Sequence, residues 1–348
     1  MSVIRKIIIA SILTALLISV WVWTSYQNAL DDTLNIQSDS IDYSIKTGSS
    51  LSAVIYDLAN KKIIKHPRYL LLYARLNGLS NKMKTGDFRL TNKLTTKEFL
   101  DNIFTGKVIQ FSLTIIEGWS FQQLLDALNK HPQIKHTISE ISKEEIMLKL
   151  DLAGIHYEGQ FLPDTYHFPK QLSDIEFLKR AYLSMQSVLK KEWDNRAVGL
   201  PYKNAYEALI MASIVEKETG QASEREQISG VFVRRLEKRM RLQTDPTVIY
   251  GMGDKYKGNI RKRDLQRDTP YNTYRRFGLP PTPIALPGRD AIYAALHPAE
   301  GNALYFVSRG DGSHHFSATL KEHNKAVIKY QLKGRARNFS SYKHNKSK

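Results

Sequence analysis

The sequence contains no cysteine. This excludes disulfide scaffolds, thiolate zinc sites and cysteine nucleophiles. It also contains no H-E-x-x-H pair, no G-x-S-x-G elbow and no P-loop, so the usual patterns of metalloproteases, serine hydrolases and nucleotide hydrolases are missing. The adjacent His314 and His315 do not suggest a metal site, because neighbouring side chains on a strand point to opposite faces. We therefore expect neither a metal nor a cofactor.

Acidic residues are few relative to basic ones. The chain has 51 Lys and Arg against 34 Asp and Glu, a formal net charge of +17 over 348 residues. Such an excess predicts an anionic partner: nucleic acid, phospholipid headgroups or an acidic polymer. The length allows two compact domains.

The N-terminus carries the longest uncharged run, 24 residues from Ile7 to Leu30. About 20 apolar residues cross a bilayer as a helix, and the preceding Arg5 and Lys6 favour a cytoplasmic start. We predict a cytoplasmic segment 1–6, a transmembrane anchor 7–26 and a linker 27–40. A cleavable signal peptide is the alternative, but its apolar core is usually shorter. The rest of the chain would lie in the periplasm, anchored in the inner membrane, where nucleic acid is not an expected partner.

A weak repeat follows the linker. Short strand-like pieces end in a Gly or Asn, and a capping Ser or Thr then begins an amphipathic run, at 51–59, 97–104 and 121–128. Such units must pack on one another to bury their apolar faces. Residues 41–110 are therefore predicted to form a small α+β module.

The second half, 111–330, is predicted to be a mixed α+β domain. Helices are expected over 137–155, 174–193, 203–219 and 223–240, and a hairpin over 304–317. Residues 268–289 are rich in proline and lack periodicity, which predicts a long loop lining a cleft. The basic tail 331–348 is predicted to be disordered.

Two glutamates end the apolar helix that includes Ala208–Thr219. At 100° per residue, Glu218 shares a stripe with Met211 and Ile214, whereas Glu216 points almost oppositely. Burial raises a carboxyl pKa, and a carboxyl protonated near neutral pH can act as a general acid. The alternative is that both are solvated residues of a helix end.

A polar cluster follows at 241–247. Asp245 is predicted to cap a short helix that has Pro246 at its first position and ends at Gly251. Gln243 and Thr244 could instead bind a polar ligand. In the proline-rich loop, aromatic and amide side chains of the kind that bind sugars occur together: Tyr271, Asn272 and Tyr274.

These features together resemble one family. The chain is similar to the endolytic murein transglycosylases (MltG/YceG-like) over residues 40–330. The matching pieces are the N-terminal anchor, TGDFRL at 85–90, EG at 117–118, EGQFLPDTY at 158–166, ASIVEKET at 212–219, residues 241–250, YNTY at 271–274, GLPP at 278–281, HP at 297–298 and YFV at 305–307.

The resemblance implies a LysM-like module at 41–110 and a catalytic domain at 111–330 with a lysozyme-like cleft. It implies internal cutting of nascent peptidoglycan strands between N-acetylmuramic acid and N-acetylglucosamine, which would limit strand elongation. The catalytic residue of the family falls on Glu218. The residues expected to bind substrate are Asp164, Gln243, Thr244, Asp245, Tyr250, Asn272, Tyr274 and His314. The peptidoglycan synthesis machinery is a further expected partner.

One carboxyl suffices for a lytic mechanism, because the muramic 6-hydroxyl replaces water and leaves a 1,6-anhydro end. Protonated Glu218 would donate to the glycosidic oxygen and then take the hydroxyl proton. A lysozyme-type hydrolase needs a second carboxylate, for which Asp245 and Asp164 are the candidates. A non-enzymatic, membrane-tethered wall-binding scaffold is the other alternative.

Overall fold

The computed structural model describes residues 3–332. The chain divides into two compact units. The first comprises the described residues up to Phe111 together with His167–Gln171, and the second comprises Ser112–Tyr166 and the described residues from Leu172 onward. Helices are mixed with short two-stranded sheets throughout, so the predicted α+β class is confirmed.

The first unit contains a long helix followed by a small α+β module. Its elements are α1 (Val3–Asp31), β1 (Ser40–Ile45), α2 (Leu51–Asn60), α3 (Pro67–Leu76), β2 (Gly86–Thr91) and α4 (Thr96–Thr105). β1 and β2 pair antiparallel, with Tyr43 opposite Phe88. The apolar faces of the helices pack on this pair around Ile55, Leu58 and Phe99, all fully buried.

Among residues 3–332, α1 is the one helix long and apolar enough to cross a membrane. Its residues from Ile4 to Trp23 are exposed. The helix runs beyond the predicted anchor, and Ala29 and Leu30 are buried. The buried Thr96 hydroxyl donates to their carbonyls, at 2.5 and 3.0 Å. The linker predicted over 27–40 therefore differs in the structure, because its apolar residues join the core of the first unit.

From Gln110 onward, α-helices predominate and the strands are short. In chain order these are β3 (Gln110–Thr114), α5 (Phe121–Lys130), β4 (Ile134–Lys135), α6 (Lys143–Lys149), β5 (Thr165–Pro169), β6 (Leu172–Ser173), α7 (Asp174–Asp194), α8 (Ala205–Glu218), α9 (Arg225–Glu237), α10 (Asp245–Met252), α11 (Lys262–Gln266), α12 (Arg289–Leu296), β7 (Tyr305–Ser308), β8 (His314–Ser317) and α13 (Leu320–Tyr330). β7 and β8 form the predicted antiparallel hairpin.

Helix α8 forms the centre of the second unit. Asn204 caps its start by accepting the Glu207 N–H, and every residue from Ala208 to Val215 is buried. The helix is apolar on all sides because α7, α9, α10 and α12 surround it. Because these four helices hold α8 on all sides, the residues of its last turn have little freedom to move.

The proline-rich loop is tied to this helix. The hydroxyl of buried Ser213 donates to the Ile210 carbonyl at 2.7 Å and accepts the Ile284 N–H at 3.0 Å. Residues 268–288 contain no helix or strand, as predicted. The loop is ordered by side chains rather than by backbone ladders.

Several sequence-based boundaries were wrong. The helix expected over 137–155 is only α6, because Ser142 caps its start and Asp151 adopts a positive φ of 64° just beyond its end. Asp245 is the first residue of α10 rather than its cap, and that helix ends at Met252, followed by Gly253 as its C-cap, rather than at Gly251. Of the tail, Gln331 and Leu332 pack near the hairpin, and 333–348 lie outside the described residues.

Candidate active site

Glu218 is the last residue of α8, and its carboxyl reaches a polar neighbour from another element. The Thr244 hydroxyl donates to Oε1 of Glu218. Thr244 immediately precedes α10, and its backbone N–H donates to the Thr273 hydroxyl at 3.1 Å. The proline-rich loop therefore positions the group that bonds the carboxyl.

The pKa of Glu218 is raised from 4.5 to about 7. Burial is the largest cause, because a buried carboxylate loses its hydration. The hydrogen bond from Thr244 works in the opposite direction, the charge of Asp245 raises the pKa further, and His314 and Arg235 lower it. The carboxyl can therefore be protonated near neutral pH, as a general acid requires.

A groove of about 630 Å³ opens at Glu218. Its walls come from α9, the turn before α10, the hairpin and α13. The polar and aromatic residues that line it are Glu218, Arg235, Gln243, Asp245, Tyr274, Tyr305, Ser308, His314 and His323. Carboxyl, aromatic and amide groups around one concave surface suit a sugar ligand.

Asp245 also lines the groove, and one of its carboxylate oxygens already accepts a hydrogen bond. The Tyr274 hydroxyl donates to Oδ1 of Asp245 at 2.6 Å. Burial and this nearby carboxylate raise the pKa of Tyr274 well above its usual value, so the phenol stays a hydrogen-bond donor.

Arg235 on α9 is the buried cation of the groove. It is 7% exposed, and its guanidinium donates to the carbonyls of Leu304 and Leu242, at 2.7 and 2.8 Å. These bonds connect α9 to the hairpin and to the turn before α10. Burial lowers the pKa of Arg235, and the charge of Glu218 acts against that shift, so the two groups interact across the groove.

His314 lines the groove from β8. Its Nδ1 lies 2.7 Å from Oε2 of Glu224, and its backbone N–H donates to Oε1 of the same carboxyl at 2.9 Å. Glu224 ends the 3₁₀ turn Ala222–Glu224, which lies between Glu218 and α9.

Glu216 has a different environment from Glu218, as the helical spacing indicates. Its Oε1 lies 3.6 Å from Nη2 of Arg225, and its Oε2 accepts the Gly288 N–H at 2.9 Å. Arg225 also pairs with Glu117 at 3.3 Å and Asp290 at 3.1 Å. Glu216 therefore holds the end of α8 against the start of α9 and the end of the proline-rich loop, and it does not line the groove.

Five of the residues expected at the site line the groove: Glu218, Gln243, Asp245, Tyr274 and His314. A sixth, Thr244, donates a hydrogen bond to Glu218. The other three lie elsewhere. Tyr250 donates to Glu158 and packs on Tyr271 at 4.9 Å. Asn272 is 1% exposed, and its amide donates to carbonyls at the end of α11, those of Asp264, Leu265 and Arg267. Asp164 pairs with Arg289 at 3.2 Å.

Arg235 and Glu224 were not predicted as site residues. No motif singles out either, because each acts through a contact with a segment about 70 to 90 residues away. Among residues 3–332, no group of three or more His, Asp or Glu could hold a metal ion.

A second cavity, of about 600 Å³, lies beside α11 and is lined by five cations: Lys255, Lys257, Arg261, Arg263 and Arg267. Its acidic residue, Asp264, lies beside Arg263 at 3.9 Å and accepts the Arg261 N–H at 2.8 Å. Both oxygens of this carboxyl face the two arginines, so we place the acid chemistry in the groove at Glu218.

Residues 43–329 match the model of the YceG-like family. The chain belongs to the YceG-like family. It is 31% identical to the endolytic murein transglycosylase of Bacillus subtilis strain 168 over 85% of this chain and 87% of the relative. It is 25% identical to the endolytic murein transglycosylase of Streptococcus pneumoniae serotype 2 over 94% of this chain and 65% of that relative.

The fold of this YceG-like chain is similar to one solved structure of the family. A crystal structure of a YceG-like protein from Listeria monocytogenes at 2.6 Å covers 83% of this chain and 100% of its own, with a TM-score of 0.52 and 29% sequence identity. The resemblance inferred from the motifs is therefore confirmed.

Proposed function

We propose that this chain is an endolytic lytic transglycosylase of peptidoglycan, with Glu218 as its general acid. The observation that carries the proposal is the Glu218 carboxyl in a groove, with a pKa near 7 caused chiefly by burial. Relatives that share most of the chain are named endolytic murein transglycosylases, and this supports the substrate class.

In the proposed reaction, Glu218 donates its proton to the oxygen that joins C1 of N-acetylmuramic acid to N-acetylglucosamine. The C1–oxygen bond breaks and an oxocarbenium-like centre develops. The muramic 6-hydroxyl oxygen then bonds to C1 and releases its proton to a base, which gives a 1,6-anhydro end. No water is consumed. In the one-carboxylate mechanism expected from the sequence, the base is Glu218 itself.

We also propose the location of the two units. Helix α1, with Arg5 and Lys6 near its start and an uncharged run after them, supports a single-pass anchor in the inner membrane with the rest of the chain in the periplasm. The strand–helix–helix–strand arrangement β1–α2–α3–β2 supports a LysM-like, glycan-binding module at 41–110. The groove at Glu218 supports a lysozyme-like cleft in the domain 111–330.

A lysozyme-type hydrolase remains the competing reaction, since Asp245 also lines the groove. The Tyr274 hydroxyl donates to one oxygen of Asp245, and a hydrolase would need this carboxylate to act beside Glu218. The mass of the product separates the two, because hydrolysis adds a water.

The test uses the full-length protein in detergent with purified, uncross-linked glycan strands. We expect internal cutting with 1,6-anhydro-muramic ends by mass spectrometry, and Glu218→Gln lowers cutting by a factor of about 100 or more. A matched control is Glu207→Gln, a partly buried glutamate in the first turn of the same helix. Anhydro product from Glu218→Gln at the wild-type rate would refute the assignment. Products one water heavier would favour the hydrolase, and no product from the wild type would favour the scaffold.

A further inference from the structure

His314 lines the groove and forms a carboxylate–imidazole pair with Glu224, which the one-carboxylate mechanism does not use. Glu224 binds His314 through both of its oxygens, one to Nδ1 at 2.7 Å and one to the backbone N–H at 2.9 Å. The two side chains are only 13% and 12% exposed. A pair held this way has little freedom to turn.

The hydrogen bonds determine the tautomer of the ring. An ionised carboxylate only accepts hydrogen bonds, so Nδ1 of neutral His314 carries the proton and Nε2 has a free lone pair. Nε2 has no hydrogen-bond partner within residues 3–332. Phe306 packs edge-on against the ring, with the centroids 5.4 Å apart. The ring is therefore oriented, and its basic nitrogen is unoccupied.

The other possible proton acceptors of the groove are less suited to the closing step. Oε1 of Glu218 is engaged by Thr244, and this carboxyl has just delivered its proton to the leaving oxygen. Asp245 accepts from Tyr274. His323 stacks on Tyr305, its Nδ1 is buried without a hydrogen-bond partner in the described part of the chain, and burial lowers its pKa. The remaining charged group, Arg235, cannot accept a proton.

We propose that His314, positioned by Glu224, is a second catalytic residue that accepts the proton of the muramic 6-hydroxyl. This inference rests on the proposed function. As the bond from O6 to C1 forms, the O6–H bond breaks and its proton moves to Nε2 of His314. The resulting imidazolium is stabilised by the Glu224 carboxylate. Glu218 ends as the anion, and transfer of the proton from His314 to Glu218 through solvent restores both groups.

If Glu218 and His314 act in different steps, loss of His314 changes the products of the reaction. Loss of a residue with a purely structural role would not. Glu218 acts in bond cleavage, whereas His314 acts in ring closure. Without His314, closure slows and water can capture the muramic C1 instead. The product would then contain reducing muramic ends in addition to anhydro ends.

The experiment measures both product classes by mass spectrometry, using full-length protein and purified glycan strands. For His314→Gln we expect total cutting to fall by at least about tenfold, and the share of reducing ends to rise severalfold. Glu224→Gln should change both quantities in the same direction, by less. His315→Gln is the matched control. It is adjacent on the same strand, but its ring packs on Tyr330 and does not line the groove.

A further variant separates loss of the imidazole group from loss of structure. With His314→Ala, free imidazole in the buffer should restore anhydro ends if the ring carries a proton. A His314→Gln protein that is slower but makes the wild-type proportion of anhydro ends, and no rescue of His314→Ala by imidazole, would overturn the inference. The proposed function would survive that result. It fails separately, if the wild type itself makes no anhydro ends.

Discussion

Thr244 donates its hydroxyl hydrogen bond to Oε1 of Glu218. The bond crosses between two helices: Glu218 ends α8, and Thr244 immediately precedes α10. It stabilises the anion of a carboxyl whose burial favours the neutral acid. Burial and this hydrogen bond are the two largest influences on the protonation of Glu218 and act in opposite directions, and each can be tested by itself.

Replacing Thr244 by the isosteric Val should move the pH dependence of strand cutting. The hydrogen bond lowers the pKa of Glu218, so its loss raises that pKa. The wild type should lose kcat/KM above about pH 7, tenfold per pH unit, as the acid ionises. In Thr244→Val this decline should begin at higher pH.

Thr282→Val is the control for that profile, because its hydroxyl bonds Tyr271 and Pro283. An alkaline limb at the same pH in Thr244→Val and the wild type would contradict the assignment of Glu218 as the titrating acid.

Glu218→Gln should stabilise the fold at alkaline pH. The folded-state pKa of about 7 lies above the usual 4.5, so the folded state binds the proton more tightly than the unfolded state. The contribution of Glu218 to stability is therefore most favourable below about pH 4.5 and declines as the pH rises to 7. Above pH 7 the ionised carboxyl costs about 3 kcal/mol, a cost that glutamine avoids.

Urea unfolding of both proteins at pH 4.5 and pH 8 measures this effect. The gain from Glu218→Gln should be present at pH 8 and largely absent at pH 4.5. An equal gain at both values would mean that burial does not perturb this carboxyl.

Arg225→Met should destabilise the second unit through Glu216. The Glu216 side chain is 6% exposed and lies 3.6 Å from the Arg225 guanidinium. Removing one partner of a buried pair costs about 3–5 kcal/mol. Burial already raises the pKa of Glu216, and loss of Arg225 raises it further. The deficit should therefore be smaller at pH 5 than at pH 8.

Arg276→Met is the matched control, since Arg276 pairs with Asp268 at 2.8 Å on the exposed surface. Exposed pairs contribute little to stability. Chemical unfolding of the two variants at both pH values compares them, and an equal, pH-independent loss from both would refute the role of Glu216.

Gly288→Ala should lower stability by up to about 1 kcal/mol, because the added Cβ displaces the half-exposed Glu117 side chain from Arg225. An added Cβ would lie 1.8 Å from Oε1 of Glu117 and 2.3 Å from its Cδ. The same glycine donates its N–H to Glu216, so the displacement should also affect the end of α8. Gly220→Ala is the control, because its Cβ would meet open space at an ordinary φ. Thermal unfolding of both variants is the measurement, and equal melting temperatures would contradict the prediction.

Much of the local structure follows from local patterns. The helices at 51–60, 96–105, 121–130 and 174–194 lie within one or two residues of the predicted positions, because Ser or Thr caps and apolar spacing define them over a few residues. Helix α12 was not predicted. It is short, begins after Gly288 without a side-chain cap and is stabilised by burial against α8 and α9.

The placement of Glu218 on the apolar stripe of a buried helix was determined by the sequence itself, since helical periodicity is a local property. The long uncharged run of α1 was determined in the same way. The partners of Glu218 were decided by the tertiary structure. Arg235, Thr244 and His314 come from three different elements, and Glu224 is 90 residues from the histidine it holds. No local pattern encodes such distances, because packing of α8, α9 and the hairpin brings these residues together.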